Sequence, residues 1–234
     1  MWDNAPLLRG MASLLFGISL LLVLVGSMRY VLRLPVFPLR AVELTDAPQR
    51  VSSVLLEKVV REQLRGNFFS VDLERTRLAF EKLPWVRKVS VRRKFPWSLQ
   101  VEVEEQAVLA RWNKTALVNT HGEVFVAQAN EMLPDFVGQP NTAMQVATMY
   151  GELNAVLQPL QKQIVQISLS PRFAWQVKLD DGMVLELGRD QMPQRLARFV
   201  TVYPYSLAEN AQTVRHVDLR YRNGFAVYLP GSEV

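Results

Sequence analysis

No cysteine occurs anywhere in the 234 residues, and only two histidines, His121 and His216, are present. The first absence removes disulfide staples and thiol nucleophiles, and it fits an oxidising compartment as well as a reducing one. The second leaves little for chemistries that lean on imidazole, such as zinc hydrolysis or Ser/His catalysis. His121 stands before Gly122 in a turn and His216 in an alternating strand, so both read as surface or turn residues. Also missing are G-x-x-x-x-G-K, G-x-S-x-G, H-E-x-x-H and an EF-hand loop, which excludes the common phosphate cradles, serine elbows and metal loops. Paired carboxylates alone can serve a glycosidase. Here Glu104 and Glu105 are strand neighbours that point to opposite faces, and Asp180 and Asp181 precede Gly182 in a turn, so neither pair converges on one bond. No catalytic, cofactor-binding or metal-ligating residue is predicted, and the expectation is a protein that is not an enzyme. Charge is nearly balanced, at 27 basic against 22 acidic residues for a net +5, partly near the N-terminal apolar run and in Arg87 to Lys94. So mild an excess beside a bilayer reads as a solvated or lipid-facing surface, and nucleic acid is set aside as a partner.

What the chain does contain begins with an uncharged run from Met11 to Met28, rich in Leu and Val and flanked by Arg9 and Arg29. As a helix it spans about 27 Å, and Tyr30 to Leu32 extend it to the ~30 Å of a hydrocarbon core. Gly17, Ser19, Gly26 and Ser27 are too scattered to form the polar face of a buried core helix. A cleaved signal peptide is the rival reading, with Val25 and Ser27 in the small positions of a cleavage site. The run is longer than the usual h-region and Arg9 is its only upstream charge, so a retained transmembrane helix over 11–32 is expected after a tail at 1–10. Orientation is open: Arg29, Arg33 and Arg40 follow the span, and a positive-inside count would leave the body in the cytoplasm.

Pro35 and Pro38 interrupt the helix and make 33–38 a short linker. Residues 39–107 then read as one domain. Arg40 to Thr45 alternates as a strand, Ser52 or Ser53 can cap a helix that runs to Leu64 with Gly66 as its stop, and Asp72 caps a second helix from Leu73 to about Lys82. Val86 to Lys94 and Leu99 to Glu104 form a hairpin around Phe95 to Ser98, basic on one outer face and acidic on the other, so cross-strand ion pairs are expected. Residues 108–230 form a second domain, with a tail at 231–234. It has short strands around His121-Gly122, a helix over Thr142 to Leu157, and strands at Ile164 to Leu169, Trp175 to Leu179 and Met183 to Leu187, the last two joined at Asp181-Gly182. A helix from about Pro193 to Tyr203 follows, then Val214 to Tyr221 and Phe225 to Leu229 around Asn223-Gly224, a type I′ turn signal. The fold class predicted is α+β, with a mainly antiparallel second domain.

The order of particular motifs behind a membrane anchor carries a resemblance. Gly66-Asn67-Phe68-Phe69-Ser70-Val71-Asp72-Leu73, Leu83-Pro84-Trp85-Val86, the R-R-x-F-P-W ending of Val89 to Trp97, Glu104 to Trp112, Leu117 to Phe125, the L-G-R and R-L-x-R-F of Leu187 to Tyr203, and the V-D-L-R-Y of Val217 to Gly224 together resemble the FtsQ/DivIB family of bacterial cell-division proteins. The resemblance implies that the first domain is a POTRA domain (β-α-α-β-β), linked in the family to recruitment within the divisome. It implies a single-pass type II protein of the cell inner membrane, with its body in the periplasm at the division septum. It also implies an essential scaffold with no catalysis, one that binds the FtsB and FtsL pair and joins early to late divisome proteins, including FtsW, FtsI, FtsK, FtsA and FtsN, upstream of septal peptidoglycan synthesis. The alternative, a POTRA module for protein transport or outer-membrane assembly, rests on the first domain alone and lacks any series of transmembrane β-strands.

The residues themselves suggest how a partner binds. Phe225, Ala226, Val227, Tyr228 and Leu229 form the last strand, and an uncovered strand edge favours addition of a partner strand. The family's FtsB contact region, matched onto this chain, adds Arg172 and Arg220 as receivers of a partner carboxylate and Tyr221 as an aromatic anchor. The chain departs from the family after Gly224, where Tyr228 and Leu229 stand in place of a frequent Gly-Trp pair. Removal of Phe225 to Val234 is expected to weaken binding and leave the fold intact.

Overall fold

The computed structural model describes residues 5–34, 36–64, 66–207 and 214–228, and the chain divides into two compact units, 1–105 and 106–234. Pro35 and the tail at 231–234 lie outside the described residues.

The first unit opens with α1 (Ala5–Arg33), which starts before the uncharged run and takes in part of the expected tail and linker. Its stretch Arg9–Leu32 is long and apolar enough to cross a membrane, and none of it is buried. Then come β1 (Ala41–Leu44), α2 (Ser53–Gln63), α3 (Leu73–Glu81), β2 (Val86–Lys94) and β3 (Ser98–Glu105), the order expected from the sequence. The sheet runs β1-β3-β2, with β1 parallel and β2 antiparallel to β3. Phe80 on α3 and Leu56 on α2 pack on Val89 and Val101 of the sheet, all nearly fully buried. The Asp72 side chain caps α3 by accepting from the Arg75 N–H at 3.0 Å, which satisfies one of the helix's orphan donors. Ser52 precedes α2 as its N-cap but makes no side-chain bond there.

The Glu104–Glu105 pair noted in the sequence is structural. Glu104 pairs with Arg87 at 2.6 Å across the hairpin, while Glu105 accepts from the backbone N–H groups of Gln49, Arg50 and Val51 at 2.8 to 3.1 Å. Lys88 also lies opposite Glu104, but farther along β2 the charges do not meet acids on β3: Arg92 lies opposite Gln100 and Lys94 opposite Ser98, and Lys94 reaches instead to Glu43 on β1 at 2.6 Å.

The second unit is one nine-stranded sheet. Its strands are β4 (Val108–Trp112), β5 (Ala116–Asn119), β6 (Val124–Phe125), β7 (Asp135–Val137), β8 (Ile164–Leu169), β9 (Trp175–Leu179), β10 (Val184–Gly188), β11 (His216–Asp218) and β12 (Ala226–Tyr228), in the order β12-β11-β10-β9-β8-β7-β4-β5-β6. Among the described residues five pairings are antiparallel and three parallel, at β4/β7, β7/β8 and β10/β11. Helices α4 (Ala143–Leu157) and α5 (Met192–Ser206) cover the sheet through Val146, Leu153 and Leu157 and through Leu196, Phe199 and Tyr203. Pro204 lies inside the last turn of α5, past the end expected at Tyr203. Two three-residue hairpin loops share one design: Gly122 (φ +77°) and Gly182 (φ +87°) close them in the left-handed region, and Asn119 and Leu179 accept from those glycine N–H groups at 3.0 and 2.9 Å.

Two expectations are corrected. Asn223-Gly224 is not a type I′ turn, since neither residue has positive φ; residues 219–225 form a longer loop. The strand expected over Val214 to Tyr221 ends at Asp218, because its carboxylate turns back to accept the Arg220 N–H at 3.0 Å, an Asx-type turn that competes with the ladder.

Candidate functional site

β12 is the sheet's edge, and among the described residues no strand pairs on its outer side. Which of its backbone groups face outward follows from hydrogen bonds two strands away. Val184 N–H donates to the Arg215 carbonyl and Leu219 N–H to the Glu186 carbonyl, each at 2.9 Å, so Arg215, Val217 and Leu219 turn their peptide groups toward β10. His216 and Asp218 therefore turn theirs toward β12, where they lie opposite Tyr228 and Ala226. Ala226 and Tyr228 face inward along the ladder, and the N–H and C=O of Val227 project off the sheet. That is one period of an edge able to accept an added strand.

Side chains on the edge alternate as the pleat requires. Phe225 packs edge-on against Phe199 of α5, with ring centroids 5.7 Å apart, and Val227 lies against the same core. Tyr228 is half exposed and meets His216 edge-on at 5.3 Å. His216 Nε2 lies 3.9 Å from Glu186, whose Oε1 accepts from Gln176 Nε2 at 2.6 Å, so a polar stripe crosses the strands from the edge inward. Leu229 lies outside the described residues.

Arg220 and Tyr221 lie in the loop that follows β11, next to the edge, whereas Arg172 precedes β9, three strands in from β12. Arg172 is exposed in the turn before β9, whose first residue Trp175 pairs with Gly188. Gly188 has φ +75°, and a Cβ there would come within 3.1 Å of Arg220 Cγ and 2.8 Å of Arg195 Nη1, so only glycine lets the Arg220 stem lie across it. Tyr221 is 55% exposed, and with Arg222 to Ala226 it borders a shallow depression of about 450 Å³. Arg198 on α5 donates to the Arg222 carbonyl and ties the loop to the helix.

Arg220 has an internal partner that the sequence did not suggest. Its Nε and Nη2 donate to the buried Asp218 carboxylate at 2.9 and 2.6 Å, while its side chain remains 60% exposed. Hydrogen bonding to Arg220 holds the Asp218 carboxyl below the usual range, against the opposing effect of burial, and Asp218 in turn raises the guanidinium. A depressed carboxyl pKa stabilises the fold fully above the unfolded value and loses that contribution as pH falls through the folded one. The wild type is thus expected to lose stability below about pH 4, whereas Asp218→Asn starts weaker and changes less there. Urea unfolding across acid pH checks this, and parallel curves for the two proteins would refute it.

The first unit has a second open edge. β1 borders a groove of about 790 Å³ against α2, lined by Val42, Leu44, Leu56, Val60 and Leu64. Among the described residues no group of three His, Asp or Glu side chains could hold a metal.

Family models match both units: "POTRA domain, FtsQ-type" over residues 37–106 and "Cell division protein FtsQ/DivIB, C-terminal" over residues 110–220. The chain is 38% identical to a cell division protein FtsQ of Nitrosospira multiformis over 231 residues, covering 97% of this chain and 98% of the relative. It is 36% identical to one of Burkholderia pseudomallei, with 99% and 95% covered, and 29% identical to one of Neisseria gonorrhoeae, with 97% and 94% covered.

Proposed function

The chain belongs to the FtsQ/DivIB family of cell division proteins, and on that premise we propose that it is a membrane-anchored scaffold that captures FtsB by adding an FtsB strand to the β12 edge. Through FtsB it holds FtsL and links early to late divisome proteins, with its body in the periplasm at the septum and no reaction of its own. The observation that carries this reading is the outward-facing Val227 peptide on an edge that no strand pairs with among the described residues, with exposed Tyr221 and Tyr228 nearby. Backbone pairing supplies affinity, and the tyrosines supply the rigid, half-exposed anchors that dominate interfaces. Arg172 is exposed and available to a partner carboxylate. Arg220 acts first as a clasp that fixes the loop carrying Tyr221, because its fork is already engaged by Asp218. Recruitment is assigned to the first unit, where β1 is an edge strand that borders a groove.

Binding of full-length protein in detergent micelles to the periplasmic part of FtsB, followed by fluorescence anisotropy, tests the site. Tyr221→Ala is expected to weaken it roughly tenfold with no change in thermal stability. Unaltered affinity would remove Tyr221 from the interface. The side of the membrane is tested separately on spheroplasts: external protease should degrade the body, and a protected body would overturn the periplasmic assignment.

A further inference from the structure

The first unit is fastened directly to the end of α1. The buried Asn67 side chain donates through Nδ2 to the carbonyls of Leu32 and Leu34 at 2.7 and 2.8 Å, while its Oδ1 accepts from the N–H groups of Phe69 and Ser70 at 3.0 and 2.8 Å. The first two bonds satisfy carbonyls that a helix end leaves orphaned. Phe68 N–H adds a bond to the Phe37 carbonyl at 3.0 Å, and Arg93 fixes the same loop by donating to the carbonyls of Phe68, Phe69 and Val71. The domain therefore does not hang on a free linker: it is bonded to the chain within two residues of the last apolar residue of the span.

At that junction lies an aromatic cluster that the domain core does not absorb. Trp97, in the β2–β3 turn, stacks on Phe37 at 5.4 Å and meets Phe68 and Phe95 at 5.8 and 6.0 Å, and Phe37 meets Phe69 edge-on at 5.2 Å. Much of it faces solvent: Phe95 is 77% exposed, Val36 68% and Phe69 42%. Exposed cations flank the turn along the chain: Arg40, whose N–H donates to the Trp97 carbonyl, and Arg92 on β2, three residues before Phe95 and opposite Gln100 rather than an acid.

We propose that this turn and the 66–71 loop form a membrane seat: Phe95, Trp97 and Phe69 insert into the headgroup layer around the exit of α1, with Arg40 and Arg92 over anionic phosphates. The inference rests on the reading that Arg9–Leu32 spans the bilayer. Given that span, the interfacial layer, roughly 5 to 8 Å deep on each side, begins where Asn67 holds Leu32 and Leu34, so lipid headgroups are the medium next to the exposed rings. Aromatic rings with an apolar body and a polar surround prefer that layer, and basic side chains reach phosphates from it. The consequence is a first domain with a fixed tilt on the membrane.

Because the chain contains no cysteine, Phe95→Cys introduces a single thiol for an aromatic, environment-sensitive fluorophore. Full-length protein is placed in phosphatidylethanolamine/phosphatidylglycerol vesicles, with Leu22→Cys in the span and Met132→Cys, fully exposed in the second unit, labelled in parallel. Shallow nitroxide lipids are expected to quench the label at 95 at least about twofold more than at 132, less so in phosphatidylcholine alone, and Asn67→Ala is expected to shift it toward the level at 132. Quenching at 22 by deep nitroxide lipids, with none at 95 by shallow ones, would overturn the seat and keep the span. Loss at both positions would overturn the span, and the seat with it.

Discussion

Val227→Pro is expected to leave the second unit folded and to weaken FtsB binding roughly tenfold or more, since it removes an outward donor and sets a ring where the added strand must lie. Proline is tolerated on an edge strand when its missing N–H would have faced solvent, and Val227 meets that condition. The lost methyl contacts with the core cost under about 1.5 kcal/mol. Ala226→Pro supplies the contrast. Its N–H points inward, toward Asp218 on β11, so the substitution breaks the ladder and should lower the thermal midpoint as well. Wild-type affinity in a folded Val227→Pro protein would rule out strand addition at this edge, whatever side chains contribute. Removal of Phe225 to Val234, which the sequence suggested as harmless to the fold, is a poorer test. It takes Phe225 away from Phe199 and Val227 away from the core, so lost binding would report lost packing too.

The largest stability effect is expected at Phe199. Its side chain is fully buried between Tyr203, 5.3 Å away within α5, and Phe225 at the entry to the edge strand. Phe199→Ala should cost about 3 to 5 kcal/mol, the transfer term plus the unfilled cavity. Phe225 loses its ring partner and the 219–225 loop its support, so FtsB affinity should fall by more than in a variant comparably destabilised at a distance, such as Phe136→Ala on β7, whose side chain is also fully buried. Chemical denaturation gives the stability, and anisotropy at a temperature where each variant is folded gives the affinity. Equal losses of affinity in the two variants would refute coupling between α5 and the edge.

Much of this molecule was legible without its tertiary structure. Ile164–Leu169 and Trp175–Leu179 were bounded correctly, the second against the Asp181-Gly182 turn signal, and Asp72 was recognised as a cap because a short acceptor before an amphipathic run has one economical use. β7 was missed: three residues, Asp135–Val137, show no period, and only parallel neighbours on both sides make them a strand. Asn223-Gly224 misled in the opposite way, since a strong turn signal lost to the Asp218–Arg220 clasp that closes the loop earlier. At the candidate site the last strand was read from the residues and Arg172, Arg220 and Tyr221 from the resemblance, but their division of labour was not visible. Arg172 and Arg220 look alike in the sequence, and only one has a buried carboxylate beneath it.

The apolar span, the β-α-α-β-β order and the poverty of catalytic groups were determined by the sequence itself, because hydropathy, periodicity and residue type are local properties that survive whatever the rest of the chain does. The tertiary structure alone decided that Val227 turns its peptide outward and that Arg220 is a clasp. Both depend on β11 lying parallel to β10, a pairing between segments roughly thirty residues apart whose register no local pattern encodes.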